Sequence, residues 1–147
     1  MFASIVVGTD GSPTAGKAVG QAIALAQQGG ARLNIVSVYE PPVHRLASEP
    51  TQVPDDIQWS VGPRSEVLKL LAQAEEQARS AGLSEVEIFA RQGDAADALL
   101  DVAEELAADL IVVGNKGMSG ADRFLLGSVP NKVSHHAPCS VLIVRTS

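Results

Sequence analysis

A chain of 147 residues is close to one domain's worth, and a single domain over residues 1–147 is expected. A hydrophobic share of 46%, 19% charged residues and a mean hydropathy of +0.14 exclude intrinsic disorder. A net charge of −6 and 3% aromatics argue against a nucleic-acid binder, which needs excess Lys and Arg and platforms for stacked bases.

Ile5 to Gly8 is a short apolar run ending in Gly-Thr-Asp-Gly-Ser-Pro, which reads as a buried strand entering a turn. Ser12 caps a helix and Pro13 suits its first position, with Ala15, Ala18, Val19, Ala22, Leu25 and Ala26 as its apolar stripe up to Gly29-Gly30. Leu33 to Tyr39 is β-branched and apolar, a second strand. Glu40 to Gly62 then breaks the rhythm with Pro41, Pro42, Pro50 and Pro54, and Pro63 stands just beyond. Connections longer than about 12 to 15 residues serve as lids or binding loops or are plain surface excursions. Both readings stay open for this one, with Trp59 as a local anchor.

Val67, Leu71, Ala74 and Ala78 recur at helical spacing, followed by a third strand over Val86 to Ala90. Leu99, Val102, Ala103 and Leu106 mark a third helix, with Asp97, Asp101, Glu104 and Glu105 on its wet side. Leu110 to Val113 is the fourth strand. Val129, Val133 and Ala137 mark a shorter last helix, and Val141 to Val144 is the fifth strand. Strands alternating with helices form right-handed βα crossovers, so the fold class is α/β, with five mainly parallel strands and four helices on both faces. Periodicity does not fix the strand order.

Charge is uneven along the chain. Residues 1–113 carry 7 basic and 16 acidic side chains, whereas 114–147 carry Lys116, Arg123, Lys132 and Arg145 against Asp122 alone. An anion is expected at that end. The same segment holds Gly114-Asn-Lys-Gly117, then nine residues, then Gly127-Ser128. Glycine admits positive φ and close approach to the backbone. Free N–H groups followed by a helix N-terminus make a phosphate site, with the Ser128 hydroxyl as a further donor and Lys116 and Arg123 as charge clamps. Turn chemistry alone is the competing explanation of the glycines. A Walker A loop is absent, as is a Gly-x-Gly-x2-Gly fingerprint at the first strand, which disfavours P-loop chemistry and hydride transfer.

Four stretches together resemble the universal stress protein family over nearly the whole chain: Ile5-Val-Val-Gly-Thr-Asp10-Gly-Ser-Pro13, Asp109-Leu-Ile-Val-Val-Gly114, Gly114-x2-Gly117-x9-Gly127-Ser128, and His135-His-Ala-Pro-Cys-Ser-Val-Leu-Ile-Val-Arg145. The glycine spacing is similar to that of the family's nucleotide-binding branch. The resemblance implies a doubly wound sheet of order 3-2-1-4-5, with adenosine held where the first and fourth strands diverge, a topological switch point. It implies that Asp10 contacts the adenosine and Val38 walls the adenine. Gly114, Gly117, Gly127, Ser128 and Val129 would take ribose and phosphates. Gly8 is expected to let the nucleotide come close. ATP, AMP and cyclic AMP all remain candidates, with Mg²⁺ required only if the ligand is ATP.

Set against that, Asp10 could be a plain Asx-turn residue ahead of Ser12. A phospho-acceptor receiver is excluded, because the third strand runs into Arg91-Gln92-Gly93 without an Asp. His135, His136 and Cys139 lack a fourth ligand and, on a helix, adjacent His side chains diverge, so no metal site is expected. Cys139 reads as a small hydrophobe, and no catalytic residue can be named. A slow ATPase or nucleotidyl transferase and a nucleotide-independent dimeric scaffold are the alternative functions. The apolar Val141 to Val144, at the sheet edge in the family order, is expected to pair across a two-fold into a homodimer. No run approaches the ~20 apolar residues that span a bilayer, and the start lacks a signal sequence, so no membrane or nucleic-acid partner and a cytoplasmic location are expected. With Cys139 as the sole cysteine, no internal disulfide can form.

Overall fold

The apolar runs become the strands of one sheet. A computed structural model describes residues 2–39, 63–115 and 128–145. The elements are β1 (Ser4–Gly8), α1 (Pro13–Gly29), β2 (Arg32–Tyr39), α2 (Arg64–Ser80), β3 (Val86–Gln92), α3 (Ala95–Glu105), β4 (Leu110–Gly114), α4 (Ser128–His136) and β5 (Ser140–Val144). The five strands lie in the order β3-β2-β1-β4-β5 and every neighbouring pair is parallel. This is the doubly wound α/β arrangement expected.

Side chains of a strand alternate between faces, and the core divides accordingly. Ile5, Val7, Leu33, Ile35 and Val112 pack under α1 and α2 with Ala18, Val19, Ala22, Val67 and Leu71. Val6, Val36, Val38, Ile111 and Val113 pack on the other face under α3 and α4 with Leu99, Val102, Val129 and Val133. Each fully buried Val, Leu or Ile contributes about 1.5–3 kcal/mol relative to exposure, so these two layers supply the main stabilisation.

Two of the helices, α1 and α3, start at side-chain caps. Ser12 Oγ accepts from the Ala15 amide at 3.1 Å, and α1 ends on Gly30, whose φ of 66° lets its N–H return to Ala26 O. On α2, Arg79 binds Glu75 one turn back and also donates to Ser84 O and Val86 O, fastening the helix end to the start of β3. Asp94 caps α3 by accepting from the Asp97 amide at 2.9 Å.

Four of the five strands differ from the sequence reading by one residue at one end, and three differences are larger or bear on packing. β3 continues past Ala90 to Gln92, because Arg91 and Gln92 pair with Val38 and Tyr39 of β2. Arg91 is made compatible with that position by a fork onto Glu105 at 2.8 and 2.9 Å and by lying over the Phe89 ring. Leu106 and Ala137 pack against the core just beyond the ends of α3 and α4. At the opposite end of the sheet, the Asp109 carboxylate accepts from the Ala3 and Ser4 amides at 2.9 and 3.0 Å, tying the entry of β1 to that of β4. Those two amides hold the Asp109 carboxyl below the usual range. Among the described residues no helix is long and apolar enough to cross a membrane.

Candidate functional site at the β1 and β4 carboxyl ends

The winding of the sheet reverses between the parallel neighbours β1 and β4. From β1 the chain turns onto the α1 and α2 face, whereas β4 leads onto the face of α3 and α4. The carboxyl ends of adjacent strands β1 and β4 are therefore a topological switch point, the place where open α/β sheets bind ligands.

On the β1 lip, the Thr9 amide donates to Val36 O at 3.0 Å, prolonging the strand by one residue before the chain turns. Asp10 follows and is 7% exposed. Its Oδ1 accepts from the Ser12 amide at 2.8 Å, and Thr9 Oγ1 accepts from the Gly11 amide at 3.1 Å. Gly11 takes a φ of 82°, which is what turns the chain into α1 so soon after the strand. Asp10 is therefore an Asx-turn residue with one oxygen tied to the helix entry. Its second oxygen makes no hydrogen bond to another described residue.

Val38 is 0% exposed and sits in the core layer with Val36 and Val113. The side chain expected to wall an adenine is thus part of the core layer on this face. Its main chain is better placed. Val36 O takes the Thr9 amide, and in a strand every second residue directs its peptide groups the same way, so those of Val38 face the β1 side just past the turn at Asp10. Gly8 also has a cause not legible in sequence: a Cβ there would lie 3.1 Å from both Leu99 methyls, so α3 fills the space a side chain would need.

On the β4 lip, Gly114 pairs with Val144, and the Asn115 amide donates to Val144 O at 2.9 Å. Ser128 is the exposed first residue of α4, and Val129 behind it is 4% exposed, an anchor of the helix. Lys116, Gly117, Arg123 and Gly127 lie outside the described residues, as does the 40–62 connection with its lid reading.

Lys132, a feature the sequence reading left aside, reaches Asp97 Oδ1 at 2.9 Å and Asp94 Oδ2 at 3.3 Å. Asp97 first and Asp94 second hold its ammonium above the usual lysine range. The signal available in sequence was Asp94 as a helix cap after Gly93; its pairing with a residue on another helix was not. His135 Nδ1 lies 2.9 Å from Asn131 O, a helix-end contact, and its ring is tilted 59° from that of His136. Among the described residues no group of three or more His, Cys, Asp or Glu is placed to hold a metal. Cys139 is half-buried against the α3 and α4 layer, and burial, with Asp109 nearby, pushes its thiol pKa up, away from a nucleophile.

A parallel sheet with a buried carboxylate just past the first strand, beside the fourth, defines a doubly wound α/β protein with a switch point at that edge. Comparison with known proteins gives the family. The universal stress protein family model matches residues 1–145, so the chain belongs to that family. Universal stress protein Rv1636 of Mycobacterium tuberculosis is 40% identical over 146 residues, covering 99% of this chain and 98% of the relative. Universal stress protein YxiE of Bacillus subtilis is 38% identical over 151 residues, covering 99% and 100%. Among solved structures, a universal stress protein in complex with cAMP is similar with a TM-score of 0.75 at 34% identity, covering 99% of this chain and 98% of that one.

Proposed function

We propose that this universal stress protein is an adenine-nucleotide-binding module of the family's nucleotide-binding branch, working in the cytoplasm as a homodimer. The observation that carries the reading is the switch point, where the buried Asp10 carboxylate follows β1 and the chain from β4 leads to a helix that opens on Ser128. A carboxylate oxygen accepts from hydroxyl or amino donors. The Val38 peptide offers one donor and one acceptor, matching an adenine edge, which likewise carries one of each. A helix start opening on Ser suits phosphate. Gly114, Lys116, Gly117, Arg123 and Gly127 complete the proposed phosphate side from the sequence pattern.

The 34% identical relative in complex with cAMP makes cyclic AMP the first candidate, with AMP and ATP beside it. A triphosphate would bring a larger charge, and Mg²⁺ would accompany it. Calorimetry with cyclic AMP, AMP and ATP, with and without Mg²⁺, tests the reading. Saturable one-to-one uptake of at least one is expected; no heat with any of the three would remove the proposal.

β5 is the edge strand, and Val141 to Val144 are half-buried. Val144 O takes the Asn115 amide, so the alternate residues Val141 and Ile143 direct their peptide groups away from β4. An apolar edge with open peptide groups pairs readily with a second copy. Ile143→Pro removes an outward N–H without touching the β4 ladder. It is expected to convert the dimer to a monomer in sedimentation at micromolar protein; an unchanged dimer would place the interface elsewhere.

A further inference from the structure

Helix α4 has nine residues, too few to be stable or oriented by its own hydrogen bonds, so its contacts aim it. Val129, Pro130 and Val133 seat one side of it in the core. On another side stands Lys132, one turn after Ser128. Residues four apart share a helix face and their side chains lean toward the N-terminus, so Lys132 lies directly behind Ser128 and reaches back along it. There its ammonium meets Asp97 Oδ1 at 2.9 Å and Asp94 Oδ2 at 3.3 Å.

Asp94 is poorly free to move. Its Oδ2 also accepts the Asp97 amide that it caps at 2.9 Å, and its Oδ1 is buried without a hydrogen-bond partner among the described residues. Lys132 is thus fastened to the first turn of α3, and α3 is itself fixed by Leu99, Val102 and Ala103 in the core. The ion pairs oppose rotation of α4 about its own axis, the freedom that three apolar anchors on one side restrain least.

We infer that Lys132 is a positioning residue for the anion-binding end of α4, acting through Asp94 and Asp97 to fix the direction in which Ser128 and the first-turn amides face a nucleotide's phosphate. The inference rests on the nucleotide reading above. Positioning and simple charge make opposite predictions for one variant. Removing Asp97 takes a negative charge from beside the phosphate, which by Coulomb's law alone tightens binding; if Asp97 is an anchor, binding weakens.

The test is calorimetry of AMP and of adenosine on wild type, Lys132→Met, Asp97→Ala and Lys132→Arg. The Lys132 and Asp97 side chains are 40% and 58% exposed, so the replacements leave the core intact. Lys132→Met and Asp97→Ala are each expected to weaken AMP about fivefold, the upper range for a solvent-exposed pair. Adenosine, which has no phosphate, should bind all four proteins alike, and Lys132→Arg should match wild type. Tighter or unchanged AMP binding by Asp97→Ala overturns the inference. So does equal weakening of adenosine, which would mark general damage to the fold. Wild type taking up neither compound would overturn the nucleotide reading and this inference with it; wild type binding AMP while the variants equal it would overturn the inference alone.

Discussion

Asp10→Asn is expected to weaken adenine-nucleotide binding by about 10- to 100-fold while leaving the fold in place. The size follows from the roughly 1.5–3 kcal/mol that a hydrogen bond to a charged group contributes, at 1.4 kcal/mol per factor of ten. The preserved fold follows from geometry: an Asn oxygen can still accept from the Ser12 amide, as Asp10 Oδ1 does at 2.8 Å. What it loses is the charge and the second acceptor oxygen, replaced by a donor. Asp10→Ala removes both functions, so it should bind no better than Asp10→Asn and also melt lower, by about 1 kcal/mol for the lost hydrogen bond at the entry to α1. Calorimetry and thermal melts on the two variants separate the roles. Wild-type affinity in Asp10→Asn would mean that the carboxylate does no more than shape the Asx turn.

The fold was legible because local and long-range signals agree. Ser12, Pro13 and Gly30 bracket α1 by cap chemistry visible in the sequence, and the same chemistry is found in the structure. The strands alternate faces and fill two apolar layers, as runs of Val, Ile and Leu imply. The end of β3 was not legible, since Arg91 reads as a polar break until Glu105 and Phe89, on α3 and the same strand, are seen to hold it. The site divides in the same way. Asp10 stands out because it follows an apolar run, and its Asx-turn role is the one found in the structure. Lys132 and Asp94 are 38 residues apart on different helices, and no periodicity relates such residues. For Val38 the sequence reports a side chain, which the structure buries in the core; that its peptide groups face β1 follows from the ladder and not from residue type.

Gly8 poses the sharpest question, and Leu99 answers it. Leu99 is fully buried, one of the largest such side chains, and Leu99→Ala is expected to cost about 2–5 kcal/mol through lost burial and the cavity left behind. For a chain of this size that lowers Tm by roughly 5–20 °C. Gly8→Ala alone should cost about 1 kcal/mol, since the new Cβ would meet both Leu99 methyls and push the side chain off its rotamer. A Cβ on Gly8 would lie 3.1 Å from each methyl, and Gly8 has no positive φ that would strain an alanine. The two changes should therefore not add. With Leu99 shortened, the Gly8 methyl enters vacated space, and the double variant is expected to be about 1 kcal/mol more stable than the sum of the singles predicts. Additive losses in thermal melts would show that Leu99 is not what requires glycine at position 8. Nucleotide affinity measured on the same four proteins decides the alternative: if Gly8→Ala abolishes binding in both backgrounds, the missing side chain serves the ligand, and if affinity follows stability, it serves the packing of α3 on β1.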